Sequence, residues 1–112
     1  MSLEADIRDL QHRYDEGAVD ASTTDTGDLA VLDRILDALE AGEIRAAEKR
    51  EGSWTAVEWV KEGILLNFAL RETEARTYGD VTYHDVLPLR ETDDLLAKGT
   101  RNTPDGTVVR RG

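Results

Sequence analysis

Apolar residues recur at helical spacing in two early stretches. Leu3, Ile7, Leu10 and Tyr14 fall at i, i+4, i+7 and i+11. This predicts an amphipathic helix over residues 3–16, with Gly17 as its stop. Leu29, Leu32, Ile35, Leu36 and Leu39 predict a second helix from Leu29 to Ala41, with Asp28 as N-cap and Gly42 just past its end. Its stripe lasts less than two heptads, so it reads as core packing rather than a coiled-coil seam. Between the two, residues 17–28 are rich in Thr, Asp and Gly and read as a linker.

The stretch Ile44–Leu70 organises the chain. It holds both tryptophans, the single phenylalanine and the longest apolar run. Ile44–Lys49 reads as a short strand and Arg50-Glu51-Gly52 as a turn, with Gly52 free to take a positive φ. Ser53 and Trp54 return, and Thr55-x-x-Glu58 has the form of a capping box opening a helix. Val57, Val60, Ile64 and Phe68 would line that helix, with Trp59, Leu66 and Leu70 widening the stripe. Gly63 in its interior costs roughly 1 kcal/mol against alanine and predicts a close approach by another element. Further on, Arg71–Asp80 reads as a loop. Val81–Leu87 alternates and reads as a strand ended by Pro88, paired with the Ile44–Lys49 strand. Thr92–Lys98 reads as a short helix closed by Gly99, and residues 100–112 as an open tail ending in Arg110-Arg111. The fold class is therefore α+β, small and mostly helical, with a short hairpin or sheet.

A chain of 112 residues is one domain and buries about 65% of its unfolded surface. It has no cysteine, which removes disulfides and thiol chemistry. No apolar run approaches the roughly 20 residues of a membrane span, and the acidic, polar start is not that of a secretory signal. The expected location is the cytoplasm, without membrane association. The formal charge is −10 and uneven. Residues 1–40 hold eleven acids and three bases, a net −8, and residues 41–112 hold thirteen acids and eleven bases, a net −2. A phosphate backbone needs a basic face, so no nucleic acid partner is expected. The acidic first half reads as a solvated surface, or as an arm for a basic partner.

Candidate chemistry is sparse. His12 and His84 are far apart and lack ligand spacing, so no metal site is expected. His84 beside Asp85 could be an oriented base, but a surface histidine at a strand edge is the plainer reading. Asp93-Asp94 would point about 100° apart on a helix and read as capping acids. Lys61 and Glu62 read as a solvated face, and Trp54 and Trp59 as core anchors. There is no nucleotide phosphate motif and no Ser-His-Asp arrangement. Arg101, two residues after Gly99 and followed by Pro104 and Gly106, is placed on a loop where a guanidinium could clamp a carboxylate through two parallel bonds.

One resemblance runs through these residues. Ile44-Arg45, Ala47-Glu48-Lys49, Gly52, Trp54, Trp59, Lys61, Leu65, Leu66 and Phe68, then Tyr83, Asp85, Pro88, Gly99, Arg101, Pro104 and Val109-Arg110, follow in an order that resembles the N-terminal domain of bacterial tetrahydrodipicolinate N-succinyltransferase. It covers Leu29 to Gly112 and is weak before that. The resemblance implies transfer of a succinyl group from succinyl-CoA to a dicarboxylate acceptor, in the diaminopimelate route to lysine. It implies a homotrimer built on a C-terminal left-handed parallel β-helix of hexapeptide repeats, which carries the catalytic acid and the CoA cleft. It assigns acceptor binding to Arg101, and no catalytic residue, cofactor or metal site to this chain. Residues 1–27 would be an acidic helix and linker, 28–99 a packed core, and 100–112 a connector to the repeat domain. Alone, such a domain would not catalyse the transfer. The other reading is a free-standing, non-enzymatic module that docks a protein partner.

Overall fold

A computed structural model describes residues 2–103 and 107–112; Pro104 and Gly106 lie outside the described residues. Three helices form the body. Helix α1 spans Leu3–Asp15, with Ser2 Oγ accepting from the Ala5 amide at 3.1 Å as its N-cap. Helix α2 spans Thr26–Glu40 and helix α3 spans Glu58–Ala69. Ile7 and Leu10 of α1, Leu32 and Ile35 of α2, and Val60, Leu66 and Leu70 of α3 and its end form one core. Each such side chain contributes about 1.5–3 kcal/mol by leaving water. The first helix thus packs on both others. Gly63 permits the α2–α3 approach, because a Cβ there would overlap Ile35 Cδ1. Asn67 is fully buried beside it. Its Nδ2 donates to Leu32 O at 3.3 Å and Gly63 O at 3.0 Å, and its Oδ1 accepts from Arg71 Nε at 2.9 Å.

Two antiparallel hairpins accompany this body. Strands β1 (Ala47–Arg50) and β2 (Ser53–Ala56) pair with Lys49 opposite Trp54. Their two-residue turn places Glu51 at φ 49° and Gly52 at φ 81°, the doubly positive pattern that matches strand twist. Strands β3 (Glu74–Tyr78) and β4 (Val81–Asp85) pair with Arg76 opposite Tyr83. The radius of gyration is 15.7 Å, against about 13 Å for a compact chain of this length. No helix among the described residues is long and apolar enough to cross a membrane.

Several expectations are corrected. The capping box at Thr55 does not form: Thr55 pairs with Glu48 inside the hairpin, and α3 starts after Val57 with no side-chain cap. Helix α2 starts three residues early. Asp25 is its N-cap, its Oδ1 accepting from the Asp28 amide at 2.8 Å, while Asp28 reaches back to the Asp25 amide. The linker before it is pinned by Asp20, whose Oδ1 accepts from the Ser22 amide and hydroxyl at 2.8 and 2.6 Å. Arg71–Asp80 is not a loop but contains β3, which takes β4 as partner in place of the Ile44–Lys49 segment. Thr92–Lys98 forms successive turns rather than a helix. Trp54 is not a core anchor but is 67% exposed, whereas Trp59 packs against the core.

Candidate functional site

The charged groups converge around the β3–β4 hairpin and the tail. Residues 109–111 run antiparallel to 88–90: Arg90 N donates to Val109 O at 2.7 Å and Arg111 N to Pro88 O at 3.2 Å. Helix α2 has no basic residue in its last turn, so its carbonyl end lacks a local cation. The far end of the chain supplies it. Lys98 Nζ donates to Glu40 O at 2.7 Å, and Arg111 binds Glu40 Oε1 at 3.1 Å and Asp37. Burial pushes the Glu40 carboxyl up, but Arg111 and the Gly112 amide outweigh it and leave it below its ordinary value.

Arg110 faces the other way. Its Nε donates to Asp85 Oδ2 at 2.6 Å, and its guanidinium lies 5.3 Å from the Phe68 ring centroid. Asp85 Oδ1 accepts from the Val86 amide at 2.8 Å. Arg110 first and this amide second hold the Asp85 carboxyl below the usual range. These contacts occupy Asp85, so it does not orient His84, which is exposed on β4. Beside Arg110 a cleft of about 370 Å³ opens between β3–β4 and the tail, lined by Tyr78, Tyr83, Leu87, Leu89 and Val108. Tyr78 is fixed by accepting from the Leu89 amide at 3.1 Å, and its ring meets Tyr83 at 5.9 Å.

Arg101 stands apart from this cluster. It is exposed, follows Gly99 with its φ of 79°, and has no hydrogen-bond or ion-pair partner among the described residues. Asp94 is engaged by Arg90 at 2.7 Å and Lys98 at 2.9 Å, and both hold its carboxyl far below the ordinary range. His12 faces Glu16 at 3.1 Å on the surface of α1. Among the described residues no group of three or more His, Asp or Glu side chains is arranged to hold a metal ion. The two anchors of Arg110, Asp85 and Phe68, are remote from it in sequence. Only the pairing of the tail with 88–90 brings them together.

Residues 2–70 match the family described as tetrahydrodipicolinate N-succinyltransferase N-terminal. The chain belongs to this family. The match includes α1 and the segment after it, so the resemblance begins well before Leu29. Among the relatives, the 2,3,4,5-tetrahydropyridine-2,6-dicarboxylate N-succinyltransferase of Legionella pneumophila is 31% identical over 99% of this chain. That of Dechloromonas aromatica is 28% identical over 98%, and that of Tolumonas auensis 36% identical over 78%. The chain spans only about two-fifths of these proteins, 40% of the Dechloromonas relative and 41% of the Legionella relative. In this family, then, the described fold is an N-terminal domain.

Proposed function

We propose that the chain is the acceptor-covering domain of a tetrahydrodipicolinate N-succinyltransferase acting in diaminopimelate and lysine biosynthesis in the cytoplasm. The observation that carries this is the match over nearly the whole chain to the front two-fifths of enzymes bearing that name. In this reading succinyl-CoA and the catalytic acid belong to a C-terminal left-handed β-helix, and the complete enzyme is a homotrimer. The domain closes the acceptor pocket and does not transfer succinyl groups by itself.

Arg101 is the acceptor contact in this reading. Its guanidinium is exposed and has no partner among the described residues, as suits a group that clamps a carboxylate. In the full-length enzyme, Arg101→Ala is expected to raise the acceptor KM about tenfold or more, as loss of a charge-assisted pair should. The succinyl-CoA KM should stay within about twofold. An unchanged acceptor KM refutes the assignment.

A further inference from the structure

The cleft beside Arg110 lies wholly within this domain and is not explained by a covering role. From its geometry we infer that it is a binding site for a small organic acid with one carboxylate head and an apolar or aromatic stem. The anchoring of Arg110 is the first ground. Asp85 takes the Nε edge and Phe68 lies against the guanidinium, while the Nη1/Nη2 fork has no partner among the described residues. Such a fork is held in place before a ligand arrives, so little side-chain entropy is lost on binding.

The neighbouring charges set the head group. Arg76 lines the same cleft, but its Nη1 donates to Asp85 O at 3.2 Å and its Nη2 to Glu74 Oε2 at 2.8 Å. Both of its Nη nitrogens already carry a bond within the hairpin, so its fork is not wholly free as that of Arg110 is. Arg76 and Arg110 are balanced by Glu74 and Asp85, so a dianionic phosphate would meet two nearby carboxylates and a single open fork. A planar monoanion fits the fork with about half of that repulsion.

The walls set the stem. The Tyr78 and Tyr83 rings are tilted at 59° to each other. Leu87 forms a buried floor, and the half-exposed Val108 closes the tail side. A volume near 370 Å³ is at the small end of the range for organic ligands, about 300–1,000 Å³. Tyr78 is locked through the Leu89 amide, so the aromatic wall is also formed in advance.

The site is tested on the 112-residue protein by NMR titration of its backbone amides at pH 7 with 3-phenylpropionate, and with its neutral amide as control. Saturable shifts are expected at Tyr78, Tyr83, Leu89 and Val108, with the amide binding roughly tenfold or more weakly. Arg110→Gln should weaken the acid to the same extent. Arg110→Lys keeps the charge beside Asp85 but removes the fork, and should also weaken it severalfold. Arg8→Gln, on the exposed surface of α1, should leave it unchanged. Three results overturn the site: no saturable shifts in the cleft, equal affinity for acid and amide, or undiminished binding by folded Arg110→Lys.

Discussion

In the helical body Ile7, Leu10, Leu32 and Ile35 lose all exposure to water, whereas every residue of the first hairpin from Ala47 to Ala56 is exposed. The second hairpin lies between these extremes. It has no deep apolar contact, but the segment after it holds Tyr78 through the Leu89 amide, and the tail, paired with that segment, ties it down through Arg110 and Asp85. An isolated two-stranded hairpin is at best marginal in water. The tail therefore gives β3–β4 a tie that β1–β2 lacks among the described residues. One face of β1–β2 carries Lys49 opposite Trp54, and the outer side of α3 carries Leu65 at 57% exposure.

Substitutions should rank in the same order. Leu32→Ala opens a cavity at the meeting of all three helices and is expected to cost about 2–5 kcal/mol, read as a lower urea midpoint. Equal loss at any hairpin position would contradict the division. The tail tie is ionic, so acid should loosen it. Asp85 is held low by Arg110, and Glu40 by Arg111 and the Gly112 amide against burial. Folded-state values below the unfolded ones mean stabilisation that is complete above about pH 5 and lost as the pH falls through the folded values. Hydrogen exchange at β3–β4 should therefore accelerate below pH 4 before exchange in α3 does, and Arg111→Ala should bring part of that change at pH 7 for about 1 kcal/mol. Uniform acceleration across both would show that the tail is not a separate tie. Trp54→Ala should move the unfolding midpoint least, within about 0.5 kcal/mol, because its ring is mostly in water.

Legibility in the sequence follows the same contrast. Helices α1 and α2 were readable because a buried stripe enforces helical period on Ile7–Leu10 and Leu32–Ile35–Leu36. Strand β3 was not, since Glu74–Tyr78 buries neither face and nothing demands alternation. The box at Thr55 misled because T-x-x-E states only a local possibility, and the pairing of Thr55 with Glu48 decided otherwise. The true box uses two aspartates, Asp25 and Asp28, and so escaped the usual pattern. Arg101 could be singled out from its loop context and the resemblance. Arg110 could not, because its value depends on Asp85 and Phe68, which reach it only through the returning tail.

The most direct test of the account measures succinyl-CoA-dependent release of CoA thiol with the dicarboxylate acceptor. Three proteins are compared: the full-length enzyme, the enzyme lacking residues 2–112, and this chain alone. The account predicts turnover by the full-length protein, none by the chain alone, and loss of acceptor-saturable turnover on deletion. Turnover by the 112 residues alone, or undiminished acceptor saturation without them, would contradict it.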